Sequence, residues 1–311
     1  MKASTYLAVV VLAALVAACG NVQTQIIPTA TMTLAATETI IIPATASATL
    51  APTQTKPPTV TASPTLGIGA TQTSPKDGML MLYVPAGSFL MGSDKSVDPH
   101  AFNNELPQHT VNLDAFWIDQ TPITNAMFAL CVAAGSCIAP QSTRSYTHAS
   151  YYGNSQYADY PVVNVNWNQA DAYCRWAGRQ LPTEAQWEKA ARGTDGRIYP
   201  WGNQAPDKTL ANLNLMVGDT TKVGSYPAGA SPYGALDMAG NVYEWIADWF
   251  SENYYSSSPA SNPPGPTSGI SRVIRGGSYG NSPNIERSAA RDGRVPVTGG
   301  NNFGFRCAYV P

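Results

Sequence analysis

From Gly193 to its end at residue 311 the chain carries no long segment with a helical or strand period, and Gly, Pro, Asn and Ser dominate it. Ordered loops of that length must find partners for their backbone groups, so the stretch can fold only if something fastens it internally. Regular structure is legible upstream. Met79-Leu-Met-Leu-Tyr-Val-Pro85 reads as a strand, and so does 109–118, with apolar Val111, Leu113 and Ala115 at alternate positions. Thr124 can cap a helix running to Gly135, Asn168 a second ending at Gly178, and Thr183 a third. Gln186, three residues past Thr183, completes a capping box, with Trp187, Ala190 and Ala191 on one helix face.

The beginning of the chain has a different character. Lys2 precedes a nearly unbroken apolar run over 6–18, which is short for a bilayer span and reads as a signal segment. It ends in Val16-Ala17-Ala18-Cys19, which resembles the bacterial lipobox, so Cys19 is the expected lipidation site. Residues 21–75 hold no aromatic residue and no cysteine, and Glu38 and Lys56 are their only charges. Such a segment cannot bury enough apolar surface to offset its ordering entropy, and it reads as a tether. The expected organisation is a signal peptide over 1–18, a lipidated Cys19 and tether over 19–78, and one folded domain over 79–311. That domain would sit outside the cytoplasm, held to a bacterial membrane by its lipid. Charged residues make up only 12% of the chain, which suits a loop-rich extracytoplasmic domain. A net charge of −2, with no Lys/Arg run, argues against a nucleic-acid partner.

Disulfides are one available fastening. With Cys19 assigned to lipid, Cys131, Cys137, Cys174 and Cys307 remain, an even number in an oxidising compartment, with three possible pairings. The helix end at Gly135 lets the chain fold back and join Cys131 to Cys137, which leaves Cys174 with Cys307. Zinc is the rival, but there is no Cys-x-x-Cys, and His100, His109 and His148 are scattered.

Eight segments then match one family in order. They are Val84-Pro-Ala-Gly-Ser-Phe-Leu-Met-Gly-Ser93, Glu105-Leu-Pro-Gln-His109 and Pro161-Val-Val-Asn-Val-Asn-Trp167, followed by the long run Ala172-Tyr-Cys-Arg-Trp-Ala-Gly-Arg-Gln-Leu-Pro-Thr-Glu-Ala-Gln-Trp-Glu188. Tyr199-Pro-Trp-Gly-Asn203, Asp237-Met-Ala-Gly-Asn-Val-Tyr-Glu-Trp245, Arg275-Gly-Gly-Ser-Tyr279 and Phe303-Gly-Phe-Arg-Cys307 complete the set. Over 79–311 the chain resembles the formylglycine-generating enzyme, or sulfatase-modifying factor, family. The resemblance implies an α+β fold of the C-type-lectin-like kind, low in regular secondary structure. It supports the Cys174–Cys307 pair and implies that a second family disulfide is missing, with Ala191 and Ser288 about where its halves would be.

Calcium is the second fastening, implied by the same resemblance. One site would use the side chains of Asp237 and Glu244 with the carbonyls of Gly240 and Val242. The other would use the Asn212 side chain, the Leu213 carbonyl, Asp219 and the Thr221 carbonyl. Carboxylate and carbonyl oxygens suit a hard cation, and a glycine lets the chain curl around it. Tyr243, Ser278, Arg291 and Asn302 match positions lining the family's peptide-binding groove.

The family's oxidase chemistry needs two thiolates after the Gly-Gly-Ser-Tyr motif to hold copper, and soft sulfur suits Cu(I). Here Gly280-Asn-Ser-Pro-Asn-Ile-Glu286 follows, with Asn281 at the first cysteine position and the second falling in a shortened stretch ending near Glu286. No catalytic residue is assigned and copper is not expected. Gly276-Gly-Ser-Tyr-Gly280 fits the G-x-S-x-G pattern, but that motif needs a helix directly after its serine, and Asn-Ser-Pro-Asn argues against one. Three functions stay open: a non-catalytic, calcium-stabilised module binding a peptide, protein or glycan; a protein-modifying oxidase with unfamiliar chemistry; or a structural envelope lipoprotein.

Overall fold

A computed structural model describes residues 66–311; the expected signal segment, Cys19 and most of the tether lie outside the described residues. β1 (Thr71–Thr73) and β2 (Leu80–Val84) come first, then the antiparallel pair β3 (Gly87–Met91) and β4 (His109–Leu113), then β5 (Phe116–Asp119). Helices α1 (Asn125–Ala133), α2 (Trp167–Trp176) and α3 (Glu184–Arg192) follow. The remainder supplies β6 (Tyr243–Trp249), β7 (Arg272–Arg275), β8 (Arg291–Arg294), β9 (Phe303–Gly304) and β10 (Ala308–Tyr309). One four-stranded sheet has the order β1-β2-β5-β10 and a second β8-β7-β6-β9, in which β6 and β9 run parallel. The architecture is α+β.

Several local expectations meet this structure directly. Thr124 caps α1 by accepting from Met127 N–H, and Thr183 caps α3 with Gln186 returning the bond. Three expectations need correction. Asn166, not Asn168, caps α2: its side chain accepts from Gln169 N–H at 3.0 Å, and the Gln169 side chain accepts from Asn166 N–H at 3.0 Å. Asn168 lies inside the first turn. The segment 109–118 is two strands, β4 paired with β3 and β5 paired with β2 and β10, broken at Asp114–Ala115. The alternation ends there because all four residues of β5 are buried, as a central strand requires. Order also begins ahead of Met79, since β1 extends the first sheet with Thr73 opposite Leu80.

The seven-residue β6 gave no period-2 signal because six consecutive residues from Tyr243 to Asp248 include only one, Ala247, that is not fully buried. It is the centre of the second sheet, so both of its faces are covered.

The cysteines pair as Cys131–Cys137 and Cys174–Cys307, the second tying α2 to the segment just before β10 across a sequence separation of 133. Phe128, Tyr173 and Phe305 pack around this bridge, with Tyr173 and Phe305 ring centroids 5.4 Å apart. A second core gathers Trp187, Phe116, Ile118, Met238, Ile246 and Val273 beneath α3.

A third fastening is a set of buried ion pairs. Arg275 on β7 meets Glu188 at 2.6 Å and Glu184 at 3.0 Å, both on α3. Arg291 on β8 meets Glu184 at 2.7 Å, Arg287 meets Glu105 at 2.6 Å, and Arg306 meets Glu244 at 2.7 Å. Arg179 pairs with both Asp77 and Asp119. Each joins segments far apart in the chain, which is how loops with little regular structure hold one arrangement. Removing one partner of such a pair strands a buried charge, at a cost of about 3–5 kcal/mol.

Candidate functional site

The turn 237–242 is held by residues at positive φ: Asp237 at 55°, Gly240 at 80° and Asn241 at 64°. Gly240 N–H donates to Gly276 O at 2.8 Å, Asn241 N–H to Asn212 O at 2.8 Å, and Tyr279 N–H to Asn241 O at 3.0 Å. The segments around 212, 240 and 278 are thereby stitched together. A Cβ on Gly240 would run into the Asn212 backbone, so this position requires glycine. The Asn241 side chain accepts from Thr221 N–H at 2.9 Å and donates to Thr221 O at 3.3 Å. Thus the two expected calcium-ligand sets adjoin through Asn241, a residue the ligand assignment had passed over although it lies inside the Asp237 motif.

In the Asn212 set, the Asn212 side-chain nitrogen donates to Asp219 O at 2.8 Å, while its oxygen is buried with no hydrogen-bond partner. Asp219 is well supplied: one oxygen accepts from Ser145 Oγ, Thr147 N and Thr147 Oγ1 at 2.5, 2.8 and 2.7 Å. Burial opposes ionisation of Asp219, but the donors of Ser145 and Thr147 outweigh it and hold the carboxyl below its ordinary range. The Leu213 carbonyl accepts from Met216 N–H at 3.0 Å. In the Asp237 set, both Glu244 oxygens bind Arg306 at 2.7 Å, and one also accepts from Trp187 Nε1 at 2.8 Å. Asp237 has a weaker supply, chiefly Gly224 N–H at 2.7 Å. Burial pushes Asp237 up to about 6, against Gly224 and Arg306, and neighbouring Glu244 adds to the rise.

These residues fit a hard cation unevenly. The orphaned Asn212 oxygen and the under-compensated Asp237 carboxylate are what a cation would satisfy; Asp219 and Glu244 are already engaged. Among the described residues no three His, Cys, Asp or Glu side chains come together as a metal cluster, so carbonyl oxygens would have to supply most of the ligands.

The groove candidates partly converge. Ser278 donates to the Asn281 side-chain oxygen at 2.6 Å and accepts from Asn302 Nδ2 at 3.3 Å, and Tyr243 N–H donates to Asn302 O at 2.9 Å. Arg291 points elsewhere: Nε and one terminal nitrogen each meet Glu184 at 2.7 Å, and the other terminal nitrogen donates to Asn104 O and Ser251 O at 3.0 and 2.9 Å. Its charge is spent inside the frame. No α-helix follows Ser278, only a single 3-10 turn at Pro283–Ile285, so the G-x-S-x-G match has no nucleophile elbow around it.

Glu286, near the second cysteine position of the family pattern, is fully buried and both of its carboxyl oxygens lack hydrogen-bond partners. Burial pushes it well above its ordinary range, against the weaker pull of the Gly240 and Ser278 backbone N–H groups. Its carboxyl lies against Gly277, at φ 68°, where an added Cβ would come within 2.5 Å of it. Gly277 also lines a cavity of about 210 Å³, together with Tyr243, Ile274 and Ile285.

Comparison with known proteins accords with this arrangement. Residues 68–310 match the family described as "Sulfatase-modifying factor enzyme 1-like domain". The chain is 36% identical over 287 residues to the formylglycine-generating enzyme of Streptomyces coelicolor, covering 75% of this chain and 90% of that protein. It is also 36% identical over 244 residues to the serine/threonine-protein kinase pkn1 of Chlamydia caviae, covering 73% of this chain but 37% of the relative. Among solved structures, PvdO from Pseudomonas aeruginosa superposes with a TM-score of 0.69 at 28% identity, covering 79% of this chain and 100% of that one. The match extends through the long irregular stretch after Gly193 and over all three described sheets, and on it the chain belongs to the sulfatase-modifying factor enzyme 1-like domain family.

Proposed function

We propose that this domain is a non-catalytic binding module, stabilised by calcium and presented outside the cytoplasm on a lipid-anchored tether, whose cleft takes a peptide, protein or glycan. The observation that carries the reading is the absence of thiolates: among the described residues all four cysteines are in disulfides, and the Ser278 hydroxyl is bonded to the amide of Asn281. An amide oxygen and a buried carboxyl are hard donors, which do not retain Cu(I) against competing ligands. Calcium would be held by the Asn212 and Asp237 oxygens with carbonyls of the adjoining turns, where it would supply the positive charge those acceptors lack.

The decisive assay incubates the full chain with copper, oxygen and a peptide carrying Cys-x-Pro-x-Arg, and follows the mass change that marks conversion of cysteine to the aldehyde. No turnover above a metal-only control is expected. Turnover would overturn the non-catalytic reading.

A further inference from the structure

The cavity beside Gly277 has a one-sided polar lining. Phe102, Tyr243, Ile274 and Ile285 supply apolar wall, and Asn104 and Asp292 supply polar groups. Asn104 Oδ1 is buried with no hydrogen-bond partner, although its Nδ2 donates to Arg291 O at 3.1 Å. Asp292 is exposed; its carboxylate accepts only the neighbouring Gly293 N–H, at 2.7 Å, and belongs to no ion pair among the described residues. Arg291 also lines the cavity, but its guanidinium is committed to Glu184 and two carbonyls. Arg294, two positions beyond Asp292 on β8, has its guanidinium 5.3 Å from the Phe303 ring centroid. Glu286 packs its carboxyl against Gly277, which lines the cavity, with no hydrogen-bond partner for either oxygen. The two uncommitted polar groups that Asn104 and Asp292 bring to the lining, an amide oxygen and a carboxylate, are both acceptors.

We propose that this cavity binds a primary ammonium group on an alkyl chain, with Asp292 and Asn104 Oδ1 receiving its N–H donors and Tyr243, Ile274 and Ile285 packing its methylenes. The inference rests on the binding-module reading and names its ligand class. An ammonium has three donors and no acceptor, which matches the open acceptors of Asp292 and Asn104, whereas the one cation in the lining, Arg291, is already committed to Glu184 and two carbonyls. A volume of about 210 Å³ falls below the roughly 300–1,000 Å³ of a site for a whole drug-sized ligand, and suits one side chain or a small amine. Charge-assisted hydrogen bonds supply the discrimination between charged and neutral forms of the same chain.

Isothermal titration of the full chain tests this with three probes: Nα-acetyl-lysine N-methylamide, its Nε-acetylated counterpart, and n-butylamine. The charged lysine probe should bind at least about tenfold more tightly than the acetylated one, as loss of a charge-assisted bond predicts. Asp292→Asn should lower its affinity by a similar factor, and Asp292→Lys, at the same exposed position, should abolish binding. Equal affinity for n-butylamine and the lysine probe would assign the ammonium to a free amine, and tighter binding of the lysine probe to a peptide; either supports the proposal. Equal binding of the acetylated probe, indifference to both Asp292 variants, or no binding of either amine at millimolar concentration would overturn it. Turnover of the Cys-x-Pro-x-Arg peptide would remove the non-catalytic reading while leaving the charge preference intact, so the two failures are separable.

Discussion

Two buried glutamates, Glu188 on α3 and Glu286 beside the cleft, are both inaccessible to solvent and have opposite surroundings. Glu188 meets Arg275 at 2.6 Å and Arg192 at 2.9 Å and accepts from Gly92 N–H at 2.7 Å. Burial opposes its charge, but Arg275 and then Arg192 overcome it and hold the carboxyl below its ordinary range. Glu286 has no partner and is pushed the other way by burial. Asp237 lies between the two, with one backbone donor at 2.7 Å and a carboxyl pushed up to about 6. The comparison separates a buried carboxylate answered by two arginines from one with no hydrogen-bond partner. Unanswered buried groups cost stability.

If the frame carries the stability, the largest loss should come from the covalent tie at its edge. Replacing both Cys174 and Cys307 by Ser should cost about 5 kcal/mol in the chain-entropy picture for a loop of this length, read by urea denaturation. A loss under about 1 kcal/mol would mean that the ion pairs alone hold the C-terminal strand. Next, Glu188→Ala should destabilise by about 3–5 kcal/mol, because it strands buried Arg275. Its folded pKa is depressed, so its contribution is present above the ordinary value of 4.5 and is lost as pH falls below it; the variant's deficit should shrink in acid.

Asp237 offers a sharper version of the contrast. Calcium at a hundred times its Kd should stabilise the native chain by about 2.7 kcal/mol, and Asp237→Ala should remove most of that rise in melting temperature. Without metal, the Asp237 contribution is fully present below 3.8 and is lost as pH rises through about 6. Calcium needs the carboxylate and competes with that proton, so its stabilisation should be larger at pH 7.5 than at pH 5. Equal shifts at both values would remove Asp237 from the site.

The smallest effect should have the opposite sign. Glu286→Leu should raise stability at neutral pH by about 1–3 kcal/mol, the cost of a buried unsatisfied group. The folded pKa is raised, so the wild-type residue is without penalty below 4.5 and loses ground as pH climbs toward its folded value. The gain in the variant should therefore grow with pH from that point. A destabilised Glu286→Leu at pH 8 would show that the carboxyl is answered after all, and would erase the difference between frame and cleft.

Legibility in the sequence followed the range of the interaction. Thr183 and Gln186 cap α3 through bonds spanning three residues, and a sequence pattern can register those. The cap of α2 was misplaced by two residues because Asn166 and Asn168 carry the same side chain, and only the reciprocal bond with Gln169 separates them. β6 was hidden because, buried on both faces, it shows no alternation, and Arg275 and Arg291 look like surface residues until Glu184 and Glu188 are seen opposite them. Of the residues lining the cavity, Tyr243 and Arg291 could be named from the family resemblance, but Phe102, Asn104 and Asp292 carry no local signal.

By itself the sequence determined the family, the caps of α1 and α3, the absence of the two thiolates, and an even set of four cysteines for the folded domain, because each of these is a matter of residue identity or of spacing within a few positions. The tertiary structure decided which acids would be neutralised. Glu184 and Glu188 lie one turn apart on α3 and face arginines from β7 and β8, whereas Glu286 was brought against Gly277 with no ion pair and no hydrogen-bond partner among the described residues. Ionisation in a protein interior depends on distances of a few ångströms between segments that lie as far as a hundred residues apart, and no local pattern encodes those distances.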